Sequence, residues 1–350
     1  MPAPPPVANP LLLGQDRALE RWQRVLDSAR MPHGWLLSGP RGVGKATLAY
    51  RMARRLLAAP AERGHSDAPE SAVFRMVASG GHPDLKVIDE PLSPKDGKLK
   101  ANVPVDLVRQ RMEEIYRTAA MDGRRVLLLD PTVDLGESAA NALLKLLEEP
   151  PDGVVLIIVA QPFLRLPATI ASRCARLRLR PLPAALVIDG LRRLAPEIRP
   201  DALPALAELA GGSIGGALFL HEIDWPAQYA RLLGDLGGGR VLEVADQLLK
   251  LAGKSGGVLV AAELLGHVVQ RAARHAAGRP SAVPLASDEP RLLAALPGAA
   301  SLDRCVALWD KLRSSAVQAE ALNLDPMQTL VGLVHGLVTP PGGGRTASAR

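Results

Sequence analysis

Residues 35–47 read WLLSGPRGVGKAT, and this stretch decides the fold of the 350-residue sequence. Its first three residues form an apolar run typical of a buried strand, and Lys45–Leu57 repeats apolar residues with the period of a helix. Between the two, Gly39 to Lys45 fits the G-x-x-x-x-G-K pattern of a phosphate-binding loop, in the strand-to-helix context that the pattern requires. The stretch therefore predicts a loop whose backbone N–H groups, lysine and helix dipole face phosphate oxygens.

The following sequence continues the alternation of strands and helices. Apolar runs predict strands at Leu85–Ile88, Val126–Leu129 and Val154–Val159, and helical periods predict helices at Val105–Ala119 and Ser138–Leu147. Unbroken apolar strands between helices are typical of a parallel sheet that is covered on both faces. A half-exposed strand with period 2 follows at residues 175–180, where arginines alternate with leucines. The predicted fold class is therefore α/β.

Beyond Pro183 the pattern is helical only, and this change sets the domain boundaries. A run of glycines at 237–239 indicates a linker between two helical regions. The predicted organisation is a disordered tail at 1–11, a sheet domain at 12–182, a small helical domain at 183–238, a second helical domain at 239–338 and a flexible tail at 339–350. The small and polar segment Pro60–Ser79 is predicted to be a loop.

The cysteine count, the apolar runs and the net charge exclude several classes of protein. The two cysteines, Cys174 and Cys305, exclude a disulfide framework and a four-cysteine zinc module, so no structural zinc is expected. The N-terminus does not resemble a signal peptide, and the apolar run Val154–Ala160 is far shorter than the roughly 18 residues of a membrane span. A cytoplasmic protein without a membrane partner is expected. The net charge of +6 and the pI of about 9.6 favour partners that carry phosphate or acidic groups.

The phosphate-binding loop lacks groups that ATP hydrolysis needs. Its pattern requires Ser or Thr after the lysine as a magnesium ligand, but Ala46 has no side-chain oxygen, and a helix step of about 100° points Thr47 elsewhere. Asp130 ends a strand where it can hold magnesium, but Pro131 stands where an active ATPase of this kind needs an acidic residue. The sequence therefore predicts absent or very weak hydrolysis and leaves the binding of ATP or ADP open. The residues of this degenerate nucleotide site are Gly39, Arg41, Gly42, Gly44, Lys45, Ala46, Thr47 and Asp130.

Five further motifs give the chain a family resemblance. Residues 141–145 read NALLK, residues 147–151 read LEEPP, and residues 166–174 read LPATIASRC. His82-Pro83-Asp84 and the string LNLDP at 322–326 complete the set. Together these strings resemble the delta-prime type of subunit of bacterial clamp loaders, within the AAA+ family. The resemblance covers residues 12–338.

This resemblance implies an architecture and a role. The sheet domain would be a RecA-like AAA+ domain, and the two helical domains would be a lid and a collar that assembles a ring. The chain would be the stator of a hetero-pentamer with gamma/tau motor subunits and a delta subunit, acting on the sliding clamp and primer–template DNA. Arg173 in Ser-Arg-Cys, after a Pro-Ala-Thr-Ile turn, would be an arginine finger for the ATP of a neighbouring subunit, because its planar fork suits phosphate charge. The alternative is a surface arginine that pairs with a nearby acid, such as Asp130 or Glu148. Gln161 is a candidate sensor, and Gly215 stands where active relatives have an arginine.

Two other functions fit parts of the sequence. Ala46 and Pro131 argue against the first, an active AAA+ motor ATPase. The second is a free-standing DNA-binding protein that uses the arginines of residues 175–180. An aromatic content of only 3% argues against it, because single-stranded nucleic acid is usually bound on stacked aromatic side chains.

Overall fold

A computed structural model describes residues 3–26, 31–89, 104–117, 120–121, 124–130, 137–160, 166–253, 257–281, 283–322 and 324–339. The chain divides into two compact units. The first comprises Met1–Leu203 and Ala210–Leu218, and the second comprises Pro204–Leu209 and Phe219–Arg350. The three-domain division near residues 182 and 238 stays a prediction.

The first unit is built on a five-stranded parallel sheet with the order β2-β3-β4-β1-β5. The strands are β1 (Gly34–Ser38), β2 (Leu85–Ile88), β3 (Arg125–Leu129), β4 (Val154–Val159) and β5 (Ala175–Arg178). Every residue of β4 is buried, as expected for a strand covered on both faces. The α/β class predicted from the alternating apolar runs is confirmed.

Helices cover both faces of this sheet. They are α1 (Asp16–Leu26), α2 (Lys45–Leu57), α3 (Ala72–Ala78), α4 (Val105–Tyr116), α5 (Glu137–Glu148) and α6 (Ala168–Arg173). Helix α7 (Ala184–Leu194) follows β5 along the chain. One apolar core contains Trp22, Leu48 and Ile157, and the core on the opposite face contains Leu143 and Ile158. Ile157 and Ile158 are successive residues of β4, so the two faces of one strand supply both cores.

Two short helices lie where the sequence predicts a loop and a turn. Ser71 caps α3 by accepting a hydrogen bond from the backbone N–H of Phe74 at 3.2 Å, and Val73 and Val77 are buried on the inner side of this helix. The predicted loop at Pro60–Ser79 is therefore wrong for Ala72–Ala78, because its few apolar residues share one helical face. The segment before Cys174 forms α6 rather than an irregular turn.

The N-terminal segment has a fixed place in the structure, although the sequence predicts a disordered tail at 1–11. Pro6–Ala8 forms one turn of 3-10 helix, and the guanidinium of Arg54 donates to the carbonyl oxygen of Val7 at 3.3 Å. The side chain of Asn9 is buried and accepts a hydrogen bond from the N–H of Leu11 at 2.9 Å. A buried arginine on α2 thus holds a segment whose proline-rich composition suggested disorder.

The described part of the second unit is helical. Two short helices, α8 (Leu203–Leu209) and α9 (Ile214–Glu222), straddle the division between the units. The others are α10 (Trp225–Gly237), α11 (Val241–Ala252), α12 (Gly257–Ala276), α13 (Glu289–Ala294), α14 (Leu302–Ala321) and α15 (Pro326–Val338). Long α12 packs against α11, α14 and α15 and is the central helix of this unit.

Within the described residues, no single helix combines the length and the apolar character needed to cross a membrane. One bent pair, Leu203–Leu209 with Ile214–Glu222, passes the test of length and composition when its two helices are taken together.

Candidate functional site

The loop between β1 and α2 has the backbone of a phosphate-binding turn. Gly42 and Gly44 have φ angles of 70° and 102°, in the left-handed region that favours glycine. Gly44 is the N-cap of α2, and no side chain caps this helix end. No side-chain cap therefore competes with an anion for the N-terminus of α2, in the loop geometry that the sequence predicts.

The side chain of Lys45 folds back on the loop. Its amine donates to the carbonyl oxygens of Gly39 at 2.9 Å and Pro40 at 2.7 Å, and the residue is 5% exposed. An incoming phosphate would compete with these carbonyl oxygens for the N–H donors of the lysine.

The first turn of α9 packs directly on the loop. The N–H of Gly215 donates to the carbonyl oxygen of Gly42 at 2.9 Å, and the Ser213 hydroxyl donates to the carbonyl oxygen of Arg41 at 2.7 Å. A Cβ atom on Gly215 would lie 2.8 Å from the Cα of Gly42, which is too close for any side chain. This packing therefore requires glycine at 215, where the family resemblance implies an arginine in active relatives.

A cavity of about 290 Å³ adjoins the loop. Ala46, Thr47 and Asp130 line it together with apolar residues that include Leu12 and Ile214. Thr47, expected from the helix step to point elsewhere, thus contributes to the same cavity as Ala46, although it is only 8% exposed. The structure therefore brings the predicted loop residues and Asp130 to one place.

Asp130 stands directly after β3, where its N–H donates to the carbonyl oxygen of Ile88 at 3.0 Å. Burial raises the pKa of its carboxyl, the charge of Asp89 raises it further, and the charge of Lys45 opposes both. A carboxylate is a magnesium ligand by type, and the raised pKa means that Asp130 takes up a proton at a higher pH than an ordinary aspartate does. Pro131 and the candidate sensor Gln161 lie outside the described residues.

Arg173 lies at the other end of the sheet. It is the last residue of α6, directly before β5, whose first residue Ala175 pairs with Trp35 near the start of β1. The phosphate-binding loop follows the opposite end of β1, so the sheet separates Arg173 from the loop of its own chain. The arginine is 40% exposed, and its Nη2 forms an ion pair with Oε1 of Glu148 at 2.8 Å.

The His82-Pro83-Asp84 element has a structural role. The carboxylate of Asp84 accepts hydrogen bonds from the N–H groups of Ala120 at 2.8 Å and Met121 at 3.0 Å, and Nδ1 of His82 accepts one from the N–H of Asp84 at 3.2 Å. Burial lowers the pKa of His82, which favours the neutral ring that this contact needs. The element therefore fixes the residues that precede β3 to the start of β2.

The described residues offer neither a reactive thiol beside Arg173 nor a metal centre. Cys174 is buried, and burial raises the pKa of its thiol to about 11, which disfavours the reactive thiolate. In the parts of the chain that the structure describes, no three or more His, Cys, Asp or Glu side chains form a group able to hold a metal ion.

The sequence offers Asp130 and Glu148 as acids that could pair with Arg173, and the structure forms the ion pair with Glu148. Sequence reasoning missed another ion pair of this unit. Arg54 is fully buried and bonds Asp67 at 3.0 Å, in the segment between α2 and α3. A charged residue on the inner face of α2 was the signal for this second pair, since an arginine is almost never fully buried without a partner.

The part of the chain that carries the sheet and the phosphate-binding loop is similar to a known protein family. Residues 14–183 match the model of a family described as DNA polymerase III, delta subunit. The match covers 170 of the 350 residues of the chain. The matched residues carry the sheet, the phosphate-binding loop and Arg173, and the resemblance to clamp-loader subunits is confirmed.

Individual relatives agree with the family match. DNA polymerase III subunit delta′ of Pseudomonas aeruginosa is 38% identical over 57% of this chain and 59% of its own length, and the Escherichia coli delta′ subunit is 33% identical over 57% and 58%. The Escherichia coli tau subunit is 31% identical over 60% of this chain and 32% of its own length. The chain thus spans less than two thirds of the length of these relatives.

A solved structure of a DNA polymerase III gamma subunit-related protein from Thermotoga maritima covers 92% of this chain and 97% of its own, with 16% identity and a TM-score of 0.40. A structural similarity with this TM-score does not support any conclusion about function.

Proposed function

We propose that this chain is the stator subunit of a replicative clamp loader, which helps to load the sliding clamp on primed DNA. One observation carries the proposal. Arg173 lies exposed at the end of the sheet away from its own phosphate-binding loop, and that loop has Ala46 where a magnesium-ligating hydroxyl is needed. An arginine in this position serves a nucleotide held by a neighbour better than one held by its own chain.

The nucleotide site of the chain itself is degenerate in this proposal. Ala46 supplies no magnesium ligand, Lys45 is bonded to loop carbonyls, and Gly215 lets α9 pack on the loop. ATP or ADP binds there without hydrolysis or not at all, and the chain holds no zinc.

Isolated, the chain is expected to show no magnesium-dependent ATPase above background, because both magnesium ligation and orientation of the attacking water are impaired. The measurement is steady-state phosphate release by the purified chain with ATP and magnesium. Enzymes commonly turn over at about 1–10³ per second. A rate near 1 per second that Lys45→Ala abolishes would instead show an active motor and would contradict the degenerate site.

The partners in this proposal are gamma/tau motor subunits and a delta subunit in a cytoplasmic hetero-pentamer. The sliding clamp and primer–template DNA are contacted through the assembled ring. The relatives support this choice, because they carry the names of delta′, gamma and tau subunits of DNA polymerase III.

Reconstitution tests the function. The motor and delta subunits of the same organism are mixed with and without this chain, and both clamp loading on primed DNA and steady-state ATPase are measured. We expect clamp loading to depend on the chain, with its addition raising the DNA- and clamp-stimulated ATPase. A chain that does not enter the complex, or enters it without changing either rate, would contradict the stator role.

A further inference from the structure

Arg173 has a fixed backbone and a side chain that two groups hold in place. Ile170, fully buried in α6, and buried Cys174 anchor the segment on both sides of the arginine. Nη1 donates to the carbonyl oxygen of Thr169 at 3.0 Å, and Nη2 pairs with Glu148 at 2.8 Å. The guanidinium is therefore already placed before any neighbouring subunit contacts it.

Glu148 is equally well positioned by its surroundings. It is the last residue of α5 and follows Leu147, whose side chain is buried. The carbonyl oxygen of Leu147 is hydrogen-bonded to Nε2 of His33 at 2.8 Å, which fixes the end of the helix. The carboxylate of Glu148 itself is 53% exposed, so water and competing anions reach it.

The ion pair between Arg173 and Glu148 therefore has a defined geometry but contributes little to stability. Exposed pairs contribute little, since water screens them. A triphosphate carries more negative charge than one carboxylate, and an arginine fork binds phosphate oxygens with two parallel hydrogen bonds. A triphosphate presented by a neighbour can therefore displace Glu148 from Arg173.

We propose that Glu148 is a positioning residue for Arg173. Its carboxylate holds the guanidinium of Arg173 until the triphosphate of the neighbouring subunit replaces the carboxylate. This inference rests on the proposed function, because it needs Arg173 to act on a neighbouring site. The carboxylate competes with the phosphate for one guanidinium, so it restrains ATP hydrolysis while the loader is idle. Clamp and DNA, which bring the subunits together, overcome that restraint.

The test uses the reconstituted loader with Glu148→Gln. Loss of the carboxylate frees Arg173, and we expect the ATPase without clamp and DNA to rise about two- to threefold, as befits an exposed pair. The stimulated rate should change little, so the ratio of stimulated to idle rate falls. The matched control is Glu149→Gln, which makes the same charge change one residue away and affects no ion pair among the described residues.

Two results would overturn the inference, and Arg173→Ala separates them. If Arg173→Ala lowers the ATPase but Glu148→Gln matches Glu149→Gln, the finger stands and the positioning role of Glu148 is wrong. If Arg173→Ala leaves the ATPase rate unchanged, the assignment of Arg173 as an arginine finger is wrong, and the positioning role of Glu148 is wrong as well. Support requires that Glu148→Gln have no further effect in the Arg173→Ala background, as expected for residues that act through one contact.

Discussion

Replacing Arg173 by alanine is expected to abolish ATP hydrolysis at one site of the reconstituted loader and to impair clamp loading. Arginine fingers in other phosphoryl-transfer systems raise the rate at their site by roughly 10³–10⁵. The total ATPase should fall less, because the remaining sites keep their own fingers. The measurements are DNA- and clamp-stimulated ATPase and the rate of clamp loading.

The structure predicts that this substitution spares the fold. Arg173 is exposed and contributes one ion pair and one hydrogen bond to a backbone oxygen, so assembly should match wild type. Arg178→Ala is a matched control, since Arg178 is another exposed arginine, on β5 of the same domain. If the complex with Arg173→Ala is intact and loads clamps at the wild-type rate, Arg173 is a surface charge and not an arginine finger.

Much of the fold can be predicted from the sequence because its signals are local. The strands at Leu85–Ile88 and Val154–Val159 have the predicted bounds: the first is a mainly apolar segment between Asp84 and Asp89, and the second is an unbroken apolar run that follows Gly153. Helix α2 likewise begins at Lys45 and ends at Leu57, as its period indicates. Helix α3 was missed because it has only seven residues, too few for its period to stand out from a polar segment.

The site could be predicted only in part, for a different reason. The glycines and Lys45 form a contiguous motif, so the loop is readable from sequence alone. The contact between Gly42 and Gly215 joins residues far apart in sequence, and two glycines carry no pattern that marks them as neighbours. The sequence leaves both Asp130 and Glu148 as partners for Arg173, and the packing of α5 on α6 selects Glu148.

The second unit depends on a buried ionic cluster around Glu289. This carboxylate accepts hydrogen bonds from the Tyr229 hydroxyl at 2.9 Å, from Nη2 of Arg271 at 2.8 Å and from the N–H of Leu285 at 2.8 Å, and Nε of Arg271 also contacts it. The side chains of Arg271 and Glu289 are 5% and 4% exposed. Removing either charge leaves the other buried without its main partner.

Breaking a buried ion pair by removing one partner costs about 3–5 kcal/mol. Glu289→Gln is expected to destabilise the second unit by an amount near the lower end of this range. The lower end applies because Glu208 stands 3.6 Å from Arg271 and retains part of the compensation. The measurement is the free energy of unfolding from urea denaturation, compared with Asp246→Ala. That control breaks an exposed pair with Lys250 on one helix and should cost about 0.3–0.5 kcal/mol.

The effect of Glu289→Gln should also depend on pH. Burial alone would raise the pKa of Glu289, but the hydrogen bonds from Arg271, Leu285 and Tyr229 lower it on balance. A carboxyl whose pKa is lower in the folded state stabilises the fold above its unfolded value of about 4.3, and this contribution is lost as the pH falls through the folded value. The difference between wild type and Glu289→Gln should therefore be largest near neutral pH and shrink in acid.

Replacing both partners, as Arg271→Leu with Glu289→Leu, should recover part of the lost stability, because neither side chain then carries a buried charge. The recovery is partial because the Tyr229 hydroxyl and the N–H of Leu285 lose the carboxylate that accepts their hydrogen bonds. An unfolding free energy for Glu289→Gln that equals the Asp246→Ala value at pH 7 would show that the cluster contributes no more than a surface pair.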